Sequence, residues 1–334
     1  MNEKVAIVGC GKMGHVHAEA YRKVGCDVSS CYDQTTETAY EMAKKYGAVV
    51  SGADFLREFP TAHDNDVDIV SICTPDRTHA DIALKALQDG RHVFCEKPLV
   101  TCKECVPSIR HYWQESKKLL GCNLPLSTAP AYRYLLHHLD ELGTMYSIDA
   151  EYCYGRLEKL TGDHWRNRQD YSIMLGGGIH MIDLICMLSS LRPTWVRAVG
   201  SALCLSEEPT STVTHDYVTA LLEYSQGLLV KITANFGSVT PHHHRLAVYG
   251  TKGTAIIDDM GLRLCFERDS PHTAFTPSTL STKPEKSALV AEFVRAVRGE
   301  IAWSHTQRYF DSLSIAFACE ESLRLGKEVQ IEYV

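Results

Sequence analysis

The sequence predicts an α/β protein of two domains. Residues 1–122 should form a doubly wound parallel sheet, and residues 123–334 an α+β domain with a large, mostly antiparallel open sheet. In the first half, short apolar runs alternate with amphipathic stretches, which is the pattern of strand-helix-strand units. From Pro193 onwards, apolar residues recur at every second position, which is typical of strands that bury one face. A chain of 334 residues is also longer than a single hydrophobic core normally supports.

Composition narrows the class of protein. The chain is 45% hydrophobic and has a net charge of -7 without a run of basic residues, so we expect no binding to nucleic acid or membranes. No apolar run approaches the roughly 18 residues of a membrane helix and no signal segment opens the chain, which indicates a cytoplasmic protein. Its 13 cysteines are interpreted as reduced, small hydrophobic side chains. The close pair Cys102 and Cys105 lacks the second pair of a zinc site.

A glycine-rich turn follows the first apolar strand, Val5 to Val8. Gly9 allows a tight turn, Gly11 lets a pyrophosphate approach the backbone, and Gly14 lets the following helix pack closely on the strand. The N-terminus of that helix directs N–H groups toward the phosphates. The turn therefore predicts a dinucleotide site formed by Gly9, Gly11, Lys12, Met13 and Gly14.

Asp33 ends the second predicted strand, about twenty residues after the glycine-rich turn. A carboxylate at this point accepts hydrogen bonds from ribose hydroxyls and repels a 2′-phosphate, and no arginine follows in the next three residues. Asp33 therefore predicts NAD rather than NADP as the cofactor. It could also, or instead, cap the helix expected over residues 36–46.

Candidate site residues also follow the next two buried strands. Thr74 and Pro75 end one of them, and we expect them at the nicotinamide half of the dinucleotide because ligands bind at the carboxyl ends of parallel strands. His79 follows and is interpreted as a helix-entry histidine rather than a catalytic one. Glu96 and Lys97 end the other strand, before a proline. Taken alone, this pair is equally typical of a solvated strand end.

Together these motifs resemble the Gfo/Idh/MocA oxidoreductases, the family of glucose-fructose oxidoreductase and inositol dehydrogenase, over essentially the whole chain. The resemblance implies that the turns bind NAD(P), with His79 and Glu96 at the cofactor site. It also implies that Lys97 meets the substrate hydroxyl. The motifs that carry it are Gly9-Cys-Gly-Lys-Met-Gly14, Ile72-Cys-Thr-Pro75 with His79, and Gly90-Arg-His-Val-Phe-Cys-Glu96-Lys97-Pro98.

Three consecutive glycines precede an apolar helix in the second half of the chain. They let the backbone come close to another group, while His180 and Asp183, three residues apart, share one helix face. A lone His-x-x-Asp is most often a buried pair. With Lys97 in the same chain, the resemblance makes His180 the acid/base residue. Many family members carry aspartate four residues before this histidine, where this chain has Gly176.

The resemblance adds substrate contacts at Asn123, Trp165, Arg166 and Asp183. Asn123 follows the last strand of the first domain, but Leu124 stands where the family has a basic residue. Judged alone, Trp165 and Arg166 are equally typical of a packing aromatic and a surface cation. The histidines at 242–244 are interpreted as a solvated turn, because neighbouring residues of an extended chain point in different directions, and no metal site is expected.

The predicted protein is an NAD-dependent oxidoreductase acting on CH–OH groups. It would transfer a hydride between nicotinamide and a secondary hydroxyl, or the matching ketone, of a sugar, cyclitol or nucleotide sugar. Lys97 would stabilise charge on the reacting oxygen and His180 would move the proton. The alternatives are an NAD-dependent glycosidase of the same fold and a non-catalytic NAD-binding regulatory or scaffold protein. The sheet around residues 218–236 predicts a homodimer or homotetramer, by resemblance to the family.

Overall fold

The computed structural model describes residues 2–61, 64–189, 191–269, 276–277, 279–285 and 287–334, with only the backbone described at 276 and 277. The chain divides into two compact units. The first comprises Met1–Pro125 and Glu285–Tyr309, and the second comprises Leu126–Pro284 and Phe310–Val334. The sequence analysis placed residues 285–309 in the second domain, whereas the structure groups them with the first.

A parallel sheet of six strands forms the centre of the first unit. The strands are β1 (Lys4–Val8), β2 (Asp27–Tyr32), β3 (Val49–Gly52), β4 (Ile69–Ile72), β5 (His92–Cys95) and β6 (Leu120–Cys122). They lie in the order β3-β2-β1-β4-β5-β6, so the strand order reverses between β1 and β4. In a doubly wound sheet this reversal opens the ligand crevice at the carboxyl ends of the strands, as the sequence predicts.

Helices accompany both sheets. They are α1 (Lys12–Lys23), α2 (Thr36–Tyr46), α3 (Phe55–Glu58), α4 (His79–Gln88), α5 (Val106–Ser116), α6 (Pro130–His137), α7 (Ile179–Leu188), α8 (Ala288–Val297) and α9 (His305–Leu325). α8 belongs to the first unit because Phe293 packs its ring on Phe94 of β5, with ring centroids 5.2 Å apart. Among the described residues, no helix is long and apolar enough to cross a membrane.

The segment before α5 departs from the sequence analysis. The α-helix begins at Val106, after a 3₁₀ turn over Lys103–Cys105. Cys102 and Cys105 are joined by a disulfide. The interpretation of all cysteines as reduced is therefore wrong at this pair, because the turn brings the two side chains together.

A sheet of nine strands forms the second unit. The strands are β7 (Met145–Cys153), β8 (Pro193–Ser201), β9 (Tyr217–Tyr224), β10 (Leu229–Asn235), β11 (His243–Gly250), β12 (Thr254–Asp258), β13 (Gly261–Cys265), β14 (Thr276–Pro277) and β15 (Val329–Gln330). Their order is β14-β13-β12-β11-β7-β10-β9-β8-β15. β7 and β10 pair in parallel and the other neighbours are antiparallel, so the predicted fold class is confirmed.

The two faces of this sheet differ in exposure. Along β7, the side chains of Ile148, Ala150 and Tyr152 are buried, and the residues between them are partly exposed. The opposite face keeps large apolar side chains accessible, with Val199 50% and Leu221 49% exposed. The apolar residues at every second position in the sequence therefore lie on the buried face of the sheet. α7 covers this face at the end of β7.

Candidate active site

The glycine-rich turn connects β1 to α1 and packs against the end of β4. Gly9 has a φ of +93°, and a Cβ there would lie 2.7 Å from the carbonyl carbon of Cys73. A Cβ at Gly14 would lie 2.2 Å from the carbonyl oxygen of Gly9. Gly11, by contrast, would meet nothing within 4 Å. Gly9 and Gly14 therefore serve the packing of the turn, while Gly11 leaves open space for a ligand.

Asp33 holds the glycine-rich turn through its carboxylate. One oxygen accepts a hydrogen bond from the backbone N–H of Cys10 at 2.7 Å, and the other accepts from the backbone N–H of Thr35 at 2.8 Å. The residue at the N-cap of α2 is Thr35, so the interpretation of Asp33 as the cap of that helix is wrong. Each carboxylate oxygen has a second lone pair, which leaves Asp33 able to accept hydrogen bonds from a ribose.

A cavity of about 380 Å³ lies at the carboxyl ends of β1, β2 and β4. Five predicted cofactor residues line it, whereas Lys12 and Met13 are exposed on the first turn of α1, outside its lining. Arg77 also lines the cavity and adds a cation that the sequence analysis did not consider. The predicted residues in the lining are Gly9, Gly11, Asp33, Thr74 and Pro75.

Glu96 is held by a buried polar network at the end of β5. Its Oε1 accepts a hydrogen bond from Asn123 Nδ2 at 2.7 Å and lies 3.1 Å from His17 Nε2. His17 Nδ1 lies 2.9 Å from the hydroxyl oxygen of Ser71. The other carboxylate oxygen accepts from the backbone N–H of Lys97 at 3.2 Å. Glu96 and Asn123 therefore fix the chain where Lys97 leaves the strand.

The pair of His17 and Glu96 is ionised. Burial alone would raise the pKa of Glu96, but the hydrogen bond and charge of His17, with smaller contributions from Asn123 and Lys97, lower it to about 2. Burial alone would lower the pKa of His17, and the Cys73 sulfur and the Glu96 carboxylate raise it to about 10. The two side chains thus form a buried ion pair over the range between these values.

His79 is the first residue of α4, as predicted, and is 1% exposed. Its Nδ1 lies 2.7 Å from the carbonyl oxygen of Pro98, and its Nε2 lies 2.9 Å from the carbonyl oxygen of Thr74. The ring thereby ties the turn after β4 to the turn after β5. His79 positions Thr74 and Lys97 relative to each other within the first unit.

The three glycines of the second unit let a helix backbone contact the sheet. Residues Met174–Gly178 form a π-helical turn that leads into α7. A Cβ at Gly177 would lie 2.5 Å from the ring of Tyr152 and 2.8 Å from the ring of Phe236. This close approach explains the glycine and places His180, three residues further along the chain, beside Tyr152. Such π turns occur frequently at functional sites.

His180 lies among aromatic and imidazole rings. Its ring stacks on Tyr152 with centroids 5.6 Å apart, and His244 meets it edge-on at 6.1 Å. His242 contacts both Tyr152 and His244, at 5.0 and 4.8 Å. The interpretation of these histidines as a solvated turn is therefore wrong for His243 and His244, which lie in β11, whereas His242 is exposed at the bend before it. Residues two apart on an extended chain share a face, so His242 and His244 turn to Tyr152 together.

His244 is neutral at physiological pH. Burial, and the positive charges of His242, His243 and Lys283, lower its pKa to about 3. Asp183, one turn after His180 on α7, is 1% exposed and belongs to the packed interior. His244 therefore adds no positive charge beside His180.

Tyr171 fills the space beside Gly176. A Cβ at Gly176 would lie 2.0 Å from the Tyr171 hydroxyl oxygen, so an aspartate cannot occupy this position while Tyr171 keeps its place. Arg166 Nε donates a hydrogen bond to that hydroxyl at 3.1 Å, and the Arg166 guanidinium carbon lies 4.2 Å from the Trp165 ring centroid. Trp165, Arg166 and Tyr171 form one cluster next to the glycines.

Several residues of these two sites carry no local sequence signal. His17 lies on a helix and Tyr152 on a strand, and their partners are distant along the chain. His244 could have been found from the alternation of side chains along a strand, since it follows His242 by two residues. The residues that the sequence analysis missed are His17, Arg77, Tyr152, Tyr171, His242 and His244.

Known proteins resemble most of the chain. UDP-N-acetylglucosamine 3-dehydrogenase of Acidithiobacillus ferrooxidans is 26% identical over 70% of this chain, and the match spans 66% of that enzyme, just under two thirds. Inositol 2-dehydrogenase of Rhizobium meliloti is 24% identical over 78% of this chain and 76% of its own. The uncharacterised oxidoreductase YrbE of Bacillus subtilis is 25% identical over 98% and 96%.

Solved structures share the fold. Levoglucosan dehydrogenase in complex with NADH and L-sorbose superposes with a TM-score of 0.84, at 20% identity and over 100% of both chains. The model of the oxidoreductase family with an NAD-binding Rossmann fold matches residues 3–123, and that of the GFO/IDH/MocA C-terminal domain matches residues 136–256. The chain therefore belongs to the Gfo/Idh/MocA oxidoreductase family, with an NAD-binding Rossmann domain in its first half.

Proposed function

We propose that this protein is an NAD-dependent dehydrogenase acting on a secondary hydroxyl, or the matching ketone, of a sugar, cyclitol or nucleotide sugar. The observation that carries the proposal is the placement of Lys97. It follows β5 in an NAD-binding domain, at a turn that Glu96, Asn123 and His79 hold by hydrogen bonds. Relatives named as sugar and cyclitol dehydrogenases support the same substrate class.

The roles of the residues follow from their chemistry. NAD, when bound, would supply the hydride acceptor, and NADH the hydride donor, for the reaction at the substrate carbon. The ammonium group of Lys97 donates a hydrogen bond to the reacting oxygen and stabilises its developing negative charge. His180 accepts the hydroxyl proton during oxidation and donates it during reduction. Stacking on Tyr152 fixes the plane of the His180 ring.

Asp33 supports NAD over NADP within this proposal. Its carboxylate lines the cavity next to Gln34 and Thr35, where the adenosine ribose of a dinucleotide would lie. A 2′-phosphate there would meet a negative charge. Arg77 lines the same cavity, where its positive charge can serve the pyrophosphate.

The direct test incubates the protein with NAD and a panel of sugars, cyclitols and nucleotide sugars and measures NADH formation by its absorbance. The proposal requires at least one of them to give net NADH. Free sugar released from a glycoside without net NADH would instead identify the glycosidase alternative. Tight NAD binding without turnover of any compound would favour the regulatory or scaffold alternative.

The outer face of the second sheet supports a proposal of self-association. Trp195, Val199 and Leu221 are 39%, 50% and 49% exposed on this face. The same face carries charged side chains, among them Lys231 and Asp149, which pair at 3.3 Å. Burying it against a second copy would remove apolar area from water. We expect a dimer or tetramer by sedimentation at micromolar concentration, and a monomer would contradict the proposal.

A further inference from the structure

We propose that Arg156 and Arg166 form an anion-binding site beside His180, so that the substrate is a sugar carrying a carboxylate or a phosphate. The inference rests on the proposed function for its link to a substrate. The site itself is argued from the second unit alone, and its test includes binding as well as turnover.

Arg166 is a half-buried cation with a fixed orientation. Its Nε donates to the hydroxyl of Tyr171, and its guanidinium lies over the Trp165 ring. These contacts use one N–H group and one face of the planar guanidinium. The remaining N–H groups are free to form the paired hydrogen bonds that arginine makes with carboxylates and phosphates.

Arg156 reaches the same region from the end of β7. Its guanidinium carbon lies 5.1 Å from the ring centroid of Tyr154. The chain turns just before it at Gly155, which has a φ of +57°, and where a Cβ would lie 2.0 Å from the carbonyl oxygen of Thr240. The turn therefore requires glycine and fixes where Arg156 leaves the strand.

Both arginines act on Tyr152, the residue on which His180 stacks. Burial, together with the neighbouring phenols of Tyr154 and Tyr171, raises the pKa of Tyr152 far above its usual range, and the charges of Arg166 and Arg156 oppose this rise. Arg156 lies over the ring of Tyr154, which stacks on Tyr152 with centroids 5.9 Å apart. Arg166 bonds the hydroxyl of Tyr171, and the rings of Tyr171 and Tyr152 both lie against Phe236, at 6.5 and 6.0 Å. An anion held between the two arginines would lie beside the ring on which His180 stacks.

The nearby carboxylates do not neutralise these cations. Among the residues that the structure describes, no carboxylate forms an ion pair with Arg156 or Arg166. Two other arginines of the unit do pair with carboxylates, Arg168 with Asp170 at 3.0 Å and Arg192 with Asp311 at 2.8 Å. Positive charges beside a proposed catalytic histidine, without a carboxylate partner among the described residues, are complementary to an anionic ligand.

Calorimetry on the NAD-saturated protein tests the inference directly. The probes are D-glucuronate, glucose 6-phosphate and UDP-glucose, with D-glucose and myo-inositol as neutral counterparts. We expect at least one anionic probe to bind more tightly than the neutral ones. The carboxylate and phosphate probes distinguish the two sources of negative charge.

Substitution assigns the binding to the two arginines. Arg156→Gln and Arg166→Gln should each weaken the anionic probe by about 10- to 100-fold, because a hydrogen bond to a charged group is lost. Turnover of the same compound should show a matching rise in KM with little change in kcat. Arg166→Lys, which keeps the charge, should recover part of the loss. Arg245→Gln is the control: Arg245 is exposed on the face of β11 opposite to His244, and this substitution should leave the affinity for the anionic probe unchanged.

Failure of the inference is distinct from failure of the proposed function. Equal affinity for neutral and anionic sugars, no binding of any anionic probe, or unchanged affinity in both glutamine variants would overturn the anion site. Binding of an anionic probe that depends on the arginines, without NADH formation from any sugar, would leave the anion site in place and contradict the dehydrogenase.

Discussion

The two sites of this protein differ in how their polar groups are satisfied. In the first unit, Asp33 and Glu96 accept hydrogen bonds from the protein's own backbone and side chains, and Glu96 is paired with His17. In the second unit, Arg156 and Arg166 lie on aromatic rings without a carboxylate partner among the described residues. The two carboxylates of the first unit are satisfied by the protein itself, which suits residues that hold neighbouring groups in position. These two arginines of the second unit lack a negatively charged partner in the described part of the chain, which suits residues that bind an anionic ligand.

The largest expected effect concerns His180. His180→Ala should lower kcat by about 10² to 10⁴, because the proton must then be transferred to water. The wild-type rate should follow one histidine-like ionisation, and the pH profile should flatten in the variant. His243→Ala, whose ring faces away from Tyr152 and contacts the Pro241 carbonyl, is the matched control. Equal kcat in the His180 variant and the wild type would exclude the acid/base role.

The preference for NAD over NADP tests the role of Asp33 in the first unit. The wild type should bind NAD at least about tenfold more tightly than NADP, because the 2′-phosphate would meet the charge of Asp33. Asp33→Asn keeps an acceptor for the Cys10 N–H but removes the charge, so the difference between the cofactors should shrink. Calorimetry with both cofactors measures it. Similar affinities of the wild type for NAD and NADP would show that Asp33 does not select the cofactor.

Alanine at two glycines separates packing from binding. Gly177→Ala places a methyl group against Tyr152 and Phe236 and should lower the free energy of unfolding by about 1 to 3 kcal/mol. Gly11→Ala meets open space and should leave that free energy unchanged while weakening NAD binding. Urea denaturation and calorimetry distinguish the two effects. A stable Gly177 variant would mean that the glycine run is not required for packing.

The buried ion pair of the first site predicts a pH dependence of stability. The folded-state pKa of Glu96, about 2, lies below its ordinary value of 4.5, so its stabilising contribution is lost as the pH falls through this range. The folded-state pKa of His17, about 10, lies above 6.5, so its contribution is lost as the pH rises from 6.5 toward 10. The double variant His17→Gln/Glu96→Gln should show weaker dependence in both ranges. The free energy of unfolding is measured by urea titration at a series of pH values. The same pH dependence in the double variant and the wild type would contradict the ion pair.

The first half of the fold could be read from the sequence because its signals are local. Val5–Val8 runs into Gly9 and Gly11 within a few residues, and strand order follows from repeated strand-helix units. The disulfide between Cys102 and Cys105 was not predicted, because sequence spacing alone does not fix the geometry of the turn. Nor was the partner of Glu96, since His17 is 79 residues away along the chain.

The second site was only partly readable from the sequence. The glycine run and His180 were recognisable, but the group that the glycines approach was not. Tyr152 and His244 become neighbours only through the pairing of β7 with β11. That pairing depends on the order of nine strands, which alternation along a single strand does not determine. Pairing across the sheet therefore explains why the position of His244 beside Tyr152 was not predicted.

The central claim is that the first unit positions Lys97 as a catalytic cation, and substitution of Lys97 tests it most directly. Lys97→Met keeps most of the side-chain bulk and removes the charge, while Lys44→Met makes the same change at an exposed position on α2. With an identified substrate, kcat for Lys97→Met should fall by about 10² to 10³ while NAD affinity measured by calorimetry stays at the wild-type value. Near-normal kcat with normal NAD binding would contradict the assignment and favour a non-catalytic role.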